Sequence, residues 1–485
     1  MLGLAGGLAC GSTANPVTGR PEFVFMSKEK EKELGDESAE QVEAQMGIAQ
    51  DPDLQAYVEE IGQRLAKRSP RRGVDYRFQV VEMDDPNAFA LPDGRIYVSR
   101  GLIVLTNSES ELANVIAHEI GHVAARHAAQ RDAHQKSFGL ATLASRLAGG
   151  KQVEDGESIG GIDGVFAYSR NQERQADEIG MEIAGAAGYD PQGMGRFLRS
   201  LDRASRLSRG YSMPQFYFMT HPATGERVAE ASASAEARRH SKPRPRERDS
   251  WEYLDRLDGM PAERPAAEGV FVGNRFLHAD MNFSLRFPKG WETSNQSSQV
   301  VAISPRRDAI VILQLSKEGE DPEAAARSDA EEMEFRLDRP RLLRVGERSA
   351  FRAEVTFPSA YGPVYGSATW VALGGRVYRL VCGVEKGNPG RYEGTCRSFA
   401  RSLRPLDPES VAEISELRVR LVYAQQGETL RELNRRVGGD WSVNRTAIIN
   451  GMQVDDVLSA DDRVKIVTRE SIATEASADS DEPAL

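Results

Sequence analysis

The spacing of apolar positions changes character three times along the chain. Over 27–46 only Ala39, Val42 and Met46 form an apolar stripe, which predicts a mostly polar helix. After Asp51-Pro52, Leu54, Val58, Ile61 and Leu65 recur at helical spacing and predict a second helix over 53–68. Residues 76–81 alternate like a strand, and 96–98 read as another after the turn at Pro92-Asp93-Gly94. A stronger helix opens near Ser108, with Ser108 and Glu111 spaced as a capping box and Leu112, Val115, Ile116 and Val123 as its apolar face. Helices over 171–187 and 191–201 follow, separated by Gly188-Tyr189-Asp190-Pro191.

Beyond 238 the pattern breaks. Pro, Arg and Glu dominate, so 241–269 reads as a linker, interrupted by a short helix over 251–257. Short alternating runs such as 283–287, 310–315 and 377–381 then predict a β-rich α+β unit over 270–406. A third small unit over 415–469 reads strand, helix, helix, strand. The tail, 470–485, is rich in Ala, Ser, Asp and Glu and is expected to be disordered.

The 485 residues agree with about three domains, and 40% apolar content is enough for real cores. The net charge of -11, with no basic stripe interleaved with aromatics, argues against nucleic acid as a partner. No stretch reaches the ~18–20 apolar residues that span a bilayer. The start, 1–26, is a short apolar run ending at Cys10-Gly11-Ser12, followed by turn-rich chain. It resembles the end of a bacterial lipoprotein signal, which would make Cys10 the lipid-bearing residue; otherwise Cys10 is an incidental thiol. Cys382 and Cys396 form a disulfide in an exported protein, or stay as two buried thiols; their spacing does not decide.

The chemistry concentrates in His118-Glu119-Ile120-Gly121-His122. On a helix the two rings sit ~40° apart on one face and ~6 Å apart along the axis. That is close enough for both to meet one tetrahedral Zn²⁺. Glu119 projects beside them, placed to take a proton from an attacking water without being a ligand. A catalytic zinc needs a third protein ligand, and Glu173 can supply it. Asp177, one turn on, can accept a hydrogen bond from a ligand histidine and fix its tautomer. From spacing alone, Glu173 and Asp177 could equally be ordinary solvated acids.

His118-Glu-Ile-Gly-His122 followed by Glu173-Arg-Gln-Ala-Asp177 resembles the M48 family of zinc peptidases. The resemblance covers about residues 10–240 and includes Asn15-Pro-Val-Thr-Gly19. It implies a zincin-type, mainly helical peptidase domain with a small sheet over 27–240. It implies Zn²⁺ on His118, His122 and Glu173, Glu119 as general base, and protein or peptide substrates. Asn87-Ala88-Phe89-Ala90 resembles the edge strand to which a substrate peptide adds. His221-Pro222 and Arg227 resemble a later element of the family. His221 is then a fourth ligand capping the zinc, an oxyanion donor, or a loop residue without a role; Arg227 steadies an oxyanion or pairs with an acid. His127 and His134 are read as helix-surface residues.

More weakly, 270–406 resembles the α+β modules that follow such domains in some lipoproteins. Residues 415–469 resemble a LysM module, whose usual ligand is peptidoglycan, or else form a structural cap. The resemblance places the protein in the bacterial envelope, on the periplasmic side, anchored through Cys10. It implies a metalloendopeptidase that acts on misfolded or unassembled proteins. The competing expectation is a largely latent, zinc-stabilised, chaperone-like scaffold. A prenyl-protein protease is disfavoured, because it needs several membrane spans.

Overall fold

The computed structural model describes residues 12–14, 21–23, 26–130, 168–208, 221, 225–239, 250–357, 364–385 and 389–471. Cys10, the Asn15–Gly19 motif, His134, Pro222, part of the 241–269 linker and most of the tail lie outside them. No helix among the described residues is long and apolar enough to cross a membrane.

The chain divides into two compact units. The first takes residues up to Glu43, Ile48–Glu263 and Arg418–Thr468; the second is chiefly Arg264–Leu417. A short ribbon, β1 (Ser12–Ala14) and β2 (Pro21–Phe23), comes first. Helices α1 (Lys28–Met46) and α2 (Pro52–Ala66) follow. Asp51 caps α2 by accepting from the Leu54 N–H, and Val58, Ile61 and Leu65 are sealed from solvent. Strands β3 (Arg77–Val81), β4 (Ala88–Ala90) and β5 (Arg95–Ser99) form a sheet in the order β3-β5-β4, so β4 is an edge, antiparallel to β5.

Helix α3 (Arg100–Leu105), which the apolar pattern did not signal, runs directly into α4 (Glu109–Ala124). Ser108 caps α4 at the Glu111 N–H, but the Glu111 carboxylate accepts from the Asn107 N–H, so the reciprocal half of the expected capping box is absent. Every residue of α4 is buried, polar ones included. Its apolar side packs beneath the sheet and α2, while its polar side lies against α5 (Arg170–Ala187) and α6 (Gln192–Ser208).

Two glycines let α4 and α5 touch backbone to backbone. A Cβ on Gly121 would sit 2.9 Å from the Ala176 carbonyl oxygen, and one on Gly180 would sit 2.8 Å from the His118 nitrogen. Ser169 and Gln172 make a full capping box at the start of α5, and Gly188 ends it in the left-handed conformation. Helices α7 (Gly225–Arg239) and α8 (Ser250–Leu257) complete this part.

The second unit contains β6 (Val270–Val272), β7 (Arg275–His278), β8 (Phe283–Arg286), β9 (Glu292–Asn295), β10 (Val300–Ile303) and β11 (Ala309–Glu318). Helix α9 (Pro322–Glu332) and β12 (Asp338–Val345), β13 (Arg348–Phe357), β14 (Val364–Leu373) and β15 (Arg376–Glu385) follow, then α10 (Glu393–Arg401) and β16 (Arg404–Pro405). A seven-stranded sheet runs β12-β13-β14-β15-β11-β10-β9, and a four-stranded one runs β16-β8-β7-β6. One core joins Phe276, Phe283, Leu285 and Phe399 to the large sheet; another seats Trp370 and Phe351 against Ala325 and Ala326 of α9. Cys382 of β15 and Cys396 of α10 are joined by a disulfide.

The last segment has the β-α-α-β pattern read from the sequence: β17 (Ser415–Tyr423), α11 (Leu430–Val437), α12 (Val443–Ile449) and β18 (Arg463–Ser471). Leu430, Leu433, Val464 and Ile466 are at its centre. It belongs to the first unit rather than standing apart. The Lys465 ammonium, fully buried, donates to the Val104 and Thr106 carbonyls at 2.7 Å each, at the junction of α3 and α4. Arg203 of α6 donates to the Gly451 and Met452 carbonyls.

Candidate metal centre

Helix α4 delivers His118 and His122 on one face, their ring centroids 4.6 Å apart and their Nε2 atoms 3.0 Å apart. The close α4–α5 contact brings Glu173 to them: one carboxylate oxygen is 3.3 Å from His122 Nε2 and the other 3.6 Å from His118 Nε2. His221 Nδ1 lies 2.9 Å from Glu173 and 3.4 Å from His118 Nε2. Ligand atoms of His118, His122, Glu173 and His221 all lie within 4.8 Å of one another, and all four residues are buried.

Around this cluster the polar groups are ordered. Asp177 Oδ1 is 2.9 Å from His118 Nδ1, on the side of the ring facing away from the centre. Arg227, on α7, places Nε and Nη2 on the two oxygens of Asp177 at 2.6 and 2.8 Å, and Nη1 2.6 Å from Glu173. Tyr168 stacks on the His122 ring at 3.9 Å between centroids; nothing in the sequence signalled it. Glu119 is fully buried, neither of its oxygens has a hydrogen-bond partner, and His221 Nε2 lies 3.6 Å from Oε1.

Burial pushes the Glu119 carboxyl above its usual range, against the pull of His221 and His118. Burial holds His122 well below its ordinary value, in the neutral form that a metal ligand requires. At Glu173 burial is outweighed by His221, His122 and Arg227, which keep the acid well below the carboxylate range. At Asp177 burial is outweighed by Arg227 and His118. At His221 burial is outweighed by Glu173 and Glu119, which raise its pKa.

Asn87, Ala88, Phe89 and Ala90 lie at or in the edge strand β4, all buried, with the Asn87 N–H donating to Ser99 Oγ at 2.7 Å. Ala90, Leu91, His122 and Tyr168 line one cleft. The surface position expected for His127 is overturned: the residue is fully buried against His122. Arg126, with φ of 57°, follows the end of α4 at Ala124 and precedes His127 in a left-handed conformation.

Two imidazoles, a carboxylate on the next helix and an unpartnered acid beside the first histidine fit a catalytic zinc site. The site is that of a zinc metallopeptidase. Residues 52–235 match the model of peptidase family M48, and the chain contains an M48-family zinc metallopeptidase domain. The chain is 32% identical over 227 residues to a beta-barrel assembly-enhancing protease of Yersinia pestis, covering 44% of this chain and 46% of the relative. It is 32% identical over 213 residues to the protein of that name from Escherichia coli K12, covering 42% and 43%. It is 24% identical over 216 residues to the mitochondrial metalloendopeptidase OMA1 of Schizosaccharomyces pombe, covering 44% and 63%. The chain thus spans less than half the length of the two bacterial relatives.

Proposed function

We propose that this chain is a zinc metalloendopeptidase of the bacterial cell envelope that cleaves misfolded or unassembled proteins on the periplasmic side. The observation that carries the reading is the buried His118, His122, Glu173 and His221 cluster with Glu119, whose oxygens make no hydrogen bond, beside it. The likeness to bacterial beta-barrel assembly-enhancing proteases supports the envelope assignment. His118, His122 and Glu173 would hold the zinc, which supplies Lewis-acid polarisation of the scissile carbonyl and activation of water. Glu119 takes the water's proton and returns it to the leaving amine; its raised pKa suits a group that must hold that proton between steps. Asp177 orients His118, and Arg227 neutralises Asp177 and Glu173. A substrate segment adds as a strand to β4, on the edge nearest the helix.

In the same proposal the conformation described is the resting one. His221 sits where a fourth ligand would be, and Glu119 is sealed. Activation then requires His221 to leave the centre, which frees the fourth position. Lipid on Cys10 would hold the enzyme at a membrane, and the 415–469 segment would contact cell-wall glycan.

Metal content and hydrolysis of unfolded casein, measured together, test this reading. Glu119→Gln should retain about one zinc per chain and lose roughly 10²-fold or more in kcat. His221→Ala should be more active than the wild type. Zinc binding without cleavage in all three proteins would overturn the peptidase reading in favour of a scaffold.

A further inference from the structure

The two ligand histidines present Nε2 to the centre, so each ring's Nδ1 decides its tautomer. For His118, Asp177 Oδ1 lies 2.9 Å from that atom. For His122 the neighbour of that atom is His127: the two Nδ1 atoms are 2.9 Å apart, with the rings edge to face at 74°. On its far side, His127 Nε2 lies 2.9 Å from Gln175 Oε1, two residues beyond Glu173 on α5. An amide oxygen only accepts, so His127 carries its proton on Nε2 and presents a bare Nδ1. That bare atom accepts from His122 Nδ1–H and leaves the His122 Nε2 lone pair directed at the centre.

The backbone is bent to produce this arrangement. Arg126 adopts a left-handed conformation, which costs an ordinary side chain on the order of 1–3 kcal/mol and persists only where the surroundings hold it. Arg126 donates to Glu31 at 3.0 Å and to the Met26 carbonyl at 2.7 Å, and Arg71 holds the same Glu31 at 2.6 Å. Without that turn, His127 would follow the helix direction away from His122.

We infer that His127, backed by Gln175, is a positioning residue for the metal centre: it fixes the tautomer and ring orientation of His122 as Asp177 does for His118. The inference rests on the zinc reading of the site. A ligand histidine whose outer hydrogen bond is lost typically binds metal about 10–100-fold more weakly.

The test is zinc affinity of the purified full chain, measured by competition with a chromophoric chelator, with melting of the zinc-free proteins alongside. His127→Phe keeps a ring of similar bulk but no acceptor, and should bind zinc about 10–100-fold more weakly. His127→Gln offers a carbonyl towards His122 and should recover most of that loss, which a purely packing role would not explain. Zinc affinity of His127→Phe equal to the wild type's overturns the inference. Should His127→Phe fail to fold, Gln175→Leu decides on the partly exposed side: several-fold weaker zinc supports the relay, and unchanged affinity overturns it. A wild type that binds no zinc would instead remove the zinc reading itself.

Discussion

Replacing Arg227 by methionine should destabilise the first unit severely, and the size of the loss distinguishes the two roles that sequence allowed this residue. Its guanidinium is 4% exposed and bridges two acids that are 2% and 7% exposed, touching Asp177 with two nitrogens and Glu173 with the third. Truncating one partner of a buried ion pair leaves its counter-charge in low dielectric, typically at a cost of about 3–5 kcal/mol. For a unit of this size each kcal/mol moves the melting temperature by roughly 2–4 °C, so a fall on the order of 10 °C is expected. The loss should be largest without zinc, because a bound cation partly replaces the missing charge at Glu173 but not at Asp177. Arg227→Lys should recover only part, since one ammonium does not reproduce a three-nitrogen fork. Calorimetry of both variants, with and without zinc, reads this directly. A melting temperature for Arg227→Met within a degree or two of the wild type's, coupled to lost turnover, would refute the reasoning and return Arg227 to the oxyanion.

Gly180→Ala should force α5 away from the His118 backbone, destabilise the unit by about 1–3 kcal/mol and weaken zinc binding, as melting and chelator competition would show. Lys465 has its pKa drawn from 10.5 down to about 7 by burial, against the pull of Glu111. Between those values the unfolded chain keeps a proton that the folded chain has released, so stability should rise from pH 7 towards pH 9. Lys465→Met should flatten that slope, and an unchanged slope in the variant would assign it elsewhere. Replacing Cys382 and Cys396 together by serine opens a loop of sequence separation 14 and should cost the second unit about 3 kcal/mol, with the zinc content of the chain unchanged.

What the sequence disclosed depended on range. The spacing of His118 and His122, and of Glu173 and Asp177, needs only one helical turn each to put its side chains on one face, and both segments are helices. Bringing the two pairs together required Gly121 and Gly180, whose meaning appears only when the helices touch. His127 was misread because the α4 helix ends at Ala124 and Arg126 then takes a left-handed conformation, which changes the direction in which His127 projects. Helix α7 carries mostly Ala, Ser, Glu and Arg, so little apolar periodicity announced the element that holds Arg227. Lys465 reads as a solvated residue of a short strand; that it is sealed against Val104 and Thr106 follows from packing across more than 350 residues of chain.

That last contact orders events in time. A chain made from its N-terminus presents His118 and His122 early, and residues 264–417 must all be produced before Lys465 exists. Until then the carbonyls at the approach to α4 lack the amine that donates to them in the finished fold. The α3–α4 junction is therefore closed by a residue made well after the metal cluster. A chain cut short between His221 and Lys465 carries every residue of the metal cluster yet lacks the clamp at the start of α4. The position of one lysine thus makes a physical difference between a chain that has passed residue 465 and one that has not.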